Sequence, residues 1–475
     1  MRRIVICCDG TWESALFQTN EIMLTNIGRV CNAIERTDTR QHEAVEQIKM
    51  YFPGLGTGEQ IFEAAWQGAF GDGLLTEVRQ AYYFIAQNWA VGDEASPSTI
   101  RNDFTTLTRL LQILLFGFSR GAYVCRLLTT LISLIGILDP KSTLASFPLL
   151  FDLLCRHRDP ATKRGRRAAS ALAEEMAKIG AFRQEQLLQM KSKAYITVLG
   201  LFDTVPLYHF HSTSKAGAQL HLSPFSTHNE QLEGPDVVSH VFQALSLHEH
   251  RQAYAPAILV QGKDGKRAGQ VLRQVWFAGS HTDVGGGYSK HDLALLSLHW
   301  LVSQVQEHVA HDRDLLLRDA TDGSAAAPWG TLAPYTPLHV APPHDRPFPT
   351  PTSPPLPSTN QFLHPSILEQ DPQHLPARLR LELGGPIMRA EAKWWKLDEW
   401  EEKVRQEWKY GKKAPGRPAA GLSPSPFALN IRTAKATVYK SQQEAAGDDP
   451  RHGVIRYLEH KLYNAGNAPS LAGAR

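Results

Sequence analysis

Three short apolar runs, each closed by a glycine-bearing loop, limit this chain more than any other feature: "RIVICCDGTW" (3–12), "QIKMYFPGLGTG" (47–58) and "ILLFGFSRGA" (113–122). Their hydrophobicity is continuous rather than alternating, so both faces of each strand need cover, as in a parallel sheet flanked by helices. Between the second and third runs, Leu75, Val78, Ala81, Tyr82, Ile85 and Trp89 recur at helical spacing, which completes a strand-helix-strand unit. After Gly121 the pattern turns helical again, with Tyr123, Leu127, Thr130, Leu131 and Leu134 available to one face. Two further strand segments are expected in 194–206 and 271–288, the latter followed by the long helix pattern "HDLALLSLHWLVSQVQEHV". This alternation over residues 1–310 predicts an α/β class with a doubly wound, mostly parallel sheet.

The remainder departs from that rhythm. Residues 156–193, with a basic start and then a helix pattern, lie between two core strands and read either as a cap insertion or as a solvated helix. Residues 311–360 are rich in proline and read as a linker, since such composition forms neither a helix nor a central strand. Residues 361–475 read as a helical C-terminal extension, in which Trp394, Leu397, Trp400, Val404 and Trp408 share one side of a helix pattern. Bordered by Lys393, Lys396, Lys403, Arg405 and Lys409, that side suits either docking on the core or peripheral contact with a membrane interface. Docking is favoured, because aromatic faces mostly bury internally.

Composition excludes several classes. A net charge of +3 on 475 residues offers no general case for nucleic-acid binding. Five cysteines without CxxC spacing argue against a disulfide scaffold or zinc ribbon, so no metal or cofactor is expected and a reducing compartment fits. The N-terminal run is too brief for a signal peptide, and "LLTTLISLIGIL" (127–138) falls short of the ~20 residues a membrane span needs. A cytoplasmic location is the expectation.

The third run carries the chemistry. Gly117-Phe118-Ser119-Arg120-Gly121 is a G-x-S-x-G between an apolar strand and a helix, the context that makes this motif informative. A serine on such a sharp turn needs neighbours without bulk, and Gly117, Gly121 and Ala122 supply them. The turn lifts the hydroxyl from the sheet, and the next helix begins with free N–H groups, that of Arg120 aimed at a developing oxyanion. A serine nucleophile needs a base oriented by an acid, in the chain order serine, acid, histidine for this motif. Asp203 follows one expected strand and His281 another, with Asp283 as the rival acid. His248, His250, His291 and His299 lie nearby, the last two on a helix pattern that suits packing. If the serine strand is fifth in a hydrolase sheet, "RIVICCDG" is third, and its loop offers Gly10 and Thr11 as oxyanion donors.

"CCDGTW", "TN" (25–26), "GLGTG", "AYYFIAQNW" with "GDE", "GFSRGAYVCR", "LFDTV", "HEHRQAYAP" and "WFAGSHTDVGGGY" occur in a fixed order. In that order they resemble the α/β-hydrolase domain typified by bacterial type VI secretion phospholipase effectors, over residues 1–310. The resemblance implies lipid ester hydrolysis through a Ser-Asp-His triad of Ser119, Asp203 and His281, with a lipid or other ester as substrate. Residues 95–112 intervene where the family runs almost directly into the nucleophile strand. Two rivals fail on residues: a D-x-D-G-T phosphatase loop would need an aspartate at Cys7, and "GLGTG" lacks the spacing and partner acid of a dinucleotide loop. A catalytically inert hydrolase-like scaffold that binds partners is the alternative from a different class.

Overall fold

The apolar runs become strands, and they do so at the centre of one sheet. In chain order the elements are β1 (Arg2–Cys8), β2 (Ile22–Thr25), α1 (Asn26–Ala33), β3 (Thr37–Asp38), β4 (Val45–Phe52), α2 (Phe70–Asn88) and β5 (Leu111–Phe118). There follow α3 (Ser119–Ile135), α4 (Pro140–Arg156), β6 (Ile196–Phe202), β7 (Val238–Ser246), α5 (Lys263–Arg267), β8 (Val271–Phe277), α6 (His281–Gly285) and β9 (Gly286–Tyr288). The last are α7 (Asp292–Val305), α8 (Arg313–Thr321), β10 (Gln361–Leu363) and α9 (Glu399–Tyr410). The computed structural model describes residues 2–10, 22–40, 42–54, 70–89, 111–156, 195–206, 232–234, 237–251, 254–288, 291–321, 357–369 and 393–410, with five positions between 167 and 175.

Eight strands form a sheet in the order β10-β8-β7-β6-β5-β1-β4-β3, parallel throughout except for the short antiparallel β3 at one edge. The strand counted as third therefore lies between those counted as fourth and fifth. A separate antiparallel pair joins β2 to β9. Side chains of β1 alternate: Ile4, Ile6 and Cys8 enter one core layer with residues of α2, α3 and α4, while Val5 and Cys7 enter the other with α1, α7, α8 and α9. Continuous hydrophobicity thus has its physical cause in two filled layers.

The structure corrects several expectations. Residues 271–288 are not one strand but β8, the helical turn α6 and β9. β7 lies between β6 and β8 where the sequence pattern predicts no strand, and β10 lies within the expected helical extension. On α3, Leu134 is 36% exposed, and Val124, Leu128 and Ile135 pack inward instead. Trp400 and Val404 are buried in the core layer beside α7, so this part of the tryptophan face docks internally. The side chain of Trp408, most of 156–193, residues 322–356 and residues 95–110 lie outside the described residues. No described helix is long and apolar enough to cross a membrane.

Candidate active site

Parallel register brings the loops to one rim. Phe118 is the register partner of Phe202, and Phe202 of Ala244, so Ser119 and Asp203 each leave the sheet at the same level on adjacent strands. Both adopt positive φ, 55° for Ser119 and 39° for Asp203, a region that non-glycine residues enter at a cost of order 1–3 kcal/mol. The turn at Ser119 is as tight as its glycines imply. A Cβ on Gly117 would lie 2.5 Å from the Ala122 Cα, and one on Gly121 only 2.2 Å from the Cys8 carbonyl oxygen. The Val205 N–H donates to the Ser119 carbonyl at 3.2 Å, which clamps the two turns together.

His281 opens α6 and its Nδ1 donates to Asp203 Oδ2 at 2.7 Å. Its ring packs against Phe118, the residue before Ser119, at 4.7 Å between centroids. Asp203 also accepts from the Ser246 N–H at 3.0 Å and from the Ser246 hydroxyl at 2.7 Å, so its carboxylate is held as an acceptor. Burial lowers the His281 affinity for a proton, against the opposing pull of the Asp203 bond and charge, and the ring's pKa falls below its usual value. The ring is therefore neutral at neutral pH with Nδ1 as donor, leaving Nε2 as the basic nitrogen.

Asp283 sits elsewhere. It accepts from the Ser280 N–H at 2.9 Å and the Ser280 hydroxyl at 3.0 Å as part of a capping box on α6. His248 Nδ1 accepts from the Gly279 N–H at 2.8 Å, which shapes the loop into His281. His291 and His299 are buried packing residues, and burial takes His299 down to about 3. Arg120 follows Ser119 in the first turn of α3, where backbone N–H groups have no intrahelical acceptor.

The loop after β1 holds the other expected oxyanion donors, Gly10 and Thr11. The Gly10 N–H donates to Asp9 Oδ1 at 2.8 Å, so that donor is already engaged. Asp9 also accepts from Tyr51 at 2.6 Å and Thr25 at 2.7 Å, while burial pushes it up to about 6 against those three hydrogen bonds. Thr11 lies outside the described residues.

Several rim residues carried no role in the sequence reading. Ser246 ends β7, a strand whose apolar run is interrupted by Gln243 and so gives no clear sequence signal. Asn26, in the "TN" pair, donates to the carbonyls of Val284 and Ala294 at 3.0 and 2.8 Å and so ties α1 to the segment after His281. Glu249, within "HEHR", accepts from the His281 N–H at 3.4 Å. Among the described residues no cluster of three or more His, Cys, Asp or Glu could hold a metal ion.

A mostly parallel three-layer α/β fold with a serine, a histidine and a carboxylate on one rim defines a class of hydrolase-like proteins. The model of the "T6SS, Phospholipase effector Tle1-like, catalytic domain" family matches residues 2–304, and the chain belongs to that family. It is similar to the uncharacterized protein YEL023C of Saccharomyces cerevisiae, at 28% identity over 153 residues, 29% of this chain and 18% of that protein. Two solved structures are also similar. The Tle1 effector bound to the VgrG spike of the type 6 secretion system matches at TM-score 0.28 and 19% identity, over 60% of this chain and 51% of that one. An uncharacterized protein from Pseudomonas aeruginosa matches at TM-score 0.35 and 14% identity, over 99% of this chain and 60% of that one. The chain thus spans only a part of each of these relatives.

Proposed function

We propose that the chain is a serine hydrolase that cleaves carboxylic esters of lipids, phospholipids above all, on an α/β-hydrolase sheet. The observation that carries this reading is the 2.7 Å bond from His281 Nδ1 to Asp203 Oδ2 on the rim where Ser119 is held at positive φ. Membership of the phospholipase effector family supports the substrate class.

In this mechanism His281 Nε2 takes the proton of the Ser119 hydroxyl as Oγ attacks the ester carbonyl. The bond from Oγ to carbon forms, and the carbonyl electron pair moves to oxygen. Asp203 keeps the ring in the productive tautomer and stabilises the imidazolium. The Arg120 N–H donates to the oxyanion, and the loop after β1 is the proposed source of a second donor. Collapse expels the alcohol, which receives the proton from His281. Water then attacks the acyl-enzyme with His281 as base, and the carboxylate leaves.

Reaction with a fluorophosphonate probe, followed by mapping of the labelled peptide, tests the proposal. Labelling on Ser119, lost in Ser119→Ala together with hydrolysis of short acyl esters, is the expected result. An unlabelled protein with no esterase activity would leave the inert scaffold as the better reading.

A further inference from the structure

The segment "HEHRQAY" (248–254) builds a fixed cation beside the histidine, and the mechanism above does not use it. Glu249 has a fully buried carboxylate that accepts from Arg251 three times, from Nε at 2.9 Å, from Nη2 at 2.8 Å and from the backbone N–H at 2.8 Å. The same carboxylate receives the His281 N–H at 3.4 Å. The Arg251 guanidinium lies 3.6 Å over the centre of the Tyr254 ring, and that ring meets the His281 ring edge-on at 4.9 Å. Carboxylate, guanidinium, phenol ring and imidazole thus form one stack, locked from both ends.

Such an arrangement is poor as a stabilising device, since burying a carboxylate costs about as much as its ion pair returns. It is well suited to aiming a charge. Arg251 keeps 30% of its side chain exposed, and among the described residues its Nη1 makes no hydrogen bond. A guanidinium anchored along one edge presents its other edge as a planar fork for oxygen anions, with its rotamer entropy already lost.

We infer that Arg251 is a specificity-determining residue that binds the phosphate of a glycerophospholipid whose ester lies at Ser119. This rests on the function proposed above and names the group that the same site recognises next to the ester. The phosphate oxygens are acceptors only, which matches a donor-only fork. The acyl carbon that becomes the fatty carboxylate is bonded to the serine before its release, whereas Arg251 stands one aromatic ring beyond His281. In a glycerophospholipid the phosphate is separated from its ester carbonyls by the glycerol carbons, a spacing of that kind.

Full-length wild type and the variants Arg251→Lys and Arg251→Gln are compared on a short-chain phosphatidylcholine and on the corresponding neutral diacylglycerol. Charge-assisted hydrogen bonds correspond to roughly a 10- to 100-fold effect, so the phospholipid-to-neutral ratio of kcat/KM falls by that amount, chiefly through KM. Arg251→Lys falls short of wild type because it retains the charge and loses the fork. A ratio that changes by less than about threefold, with both substrates slowed together or neither slowed, overturns the inference. Because Arg251→Gln leaves Glu249 buried and unpaired, Glu249→Gln/Arg251→Gln serves as the fold-preserving variant and gives the same ratio. Binding of a dialkyl ether phosphatidylcholine to Ser119→Ala supplies a readout that needs no catalysis. Loss of that binding on Arg251→Gln supports the phosphate site even if ester hydrolysis fails, and unchanged binding removes it. Arg251-dependent inhibition by inorganic phosphate, with an unaltered substrate ratio, would assign the fork to free phosphate and overturn the headgroup assignment.

Discussion

Among the described residues, the proposed catalytic histidine-carboxylate pair on the rim and a serine-histidine-carboxylate array under the C-terminal segment are wired in opposite senses. On the rim, the acid takes His281 Nδ1, so the proton sits there and Nε2 is the basic nitrogen. Under the C-terminal segment, Glu401 takes His364 Nε2 at 3.1 Å, while the Ser366 hydroxyl and its own N–H point at Nδ1 at 2.8 and 3.2 Å. Every nitrogen of the second ring is therefore occupied, and Ser366 is 0% exposed. The backbone differs as well: Ser119 and Asp203 stand at positive φ, and Ser366 and Glu401 do not. Residue types alone do not make a nucleophile. The proposed nucleophile is a serine at positive φ on the same rim as a histidine bonded through Nδ1 alone among the described residues, whereas Ser366, at ordinary φ and feeding a ring occupied on both nitrogens, is a latch that fastens β10 and α9 to the sheet.

The largest effect that separates the two is on turnover. Ser119→Ala lowers ester hydrolysis by roughly a thousandfold or more, and Ser119→Gly does the same while raising the melting temperature, because glycine relieves the positive φ at a site worth about 1 kcal/mol. Stopped assays and calorimetry on the pair check both signs; a serine variant that keeps its rate would erase the distinction between the arrays.

Next come the acids. Asp203→Asn costs roughly 100- to 10,000-fold in kcat by disturbing the tautomer of His281, with little change in melting temperature. It also removes the bond and charge that raise the ring's proton affinity, so the acid limb of the rate profile, already lowered by burial of the ring, moves to still lower pH. Glu401→Gln behaves in reverse. It leaves kcat within about twofold but destabilises by about 2–4 kcal/mol, since the amide meets donors from His364, Trp395 and the Asp398 N–H. Denaturant unfolding and a pH–rate profile of the two variants test this crossed pattern.

The rim was legible in the sequence and the latch was not, for a physical reason. Ser119, Asp203 and His281 each follow an apolar strand and stand next to residues that a tight turn demands, so local chemistry points to each one separately. Their rival Asp283 was separable only through the cap it forms with Ser280. β7 is masked in the sequence because Gln243 interrupts its apolar run. In the fold that side chain accepts from Thr204 at 2.6 Å and donates to Gln274 and Ala257, so a polar residue is satisfied in the sheet interior. β10 is only three residues long and follows a proline-rich stretch; it is held by Gln361 accepting from the Trp276 ring N–H at 2.8 Å, a contact 85 residues away in sequence. The occupied Gly10 donor likewise depends on where the Asp9 side chain folds back.

The smallest effect tests the latch most sharply. Ser366→Ala deletes the hydroxyl that donates to His364 Nδ1, yet the backbone N–H of the same residue still reaches that nitrogen at 3.2 Å. The acceptor therefore keeps a partner, and the loss is that of one neutral hydrogen bond, about 0.5–1.5 kcal/mol, with no buried group left unpaired. His364→Phe, which retains the ring stacked on Phe277 at 4.5 Å but strands Glu401, costs more than the serine does. Neither change alters fluorophosphonate labelling at Ser119. If Ser366→Ala instead slowed ester hydrolysis tenfold or more, β10 and α9 would be transmitting strain through β8 to the His281 loop, and the two arrays would have to be treated as one cooperative unit.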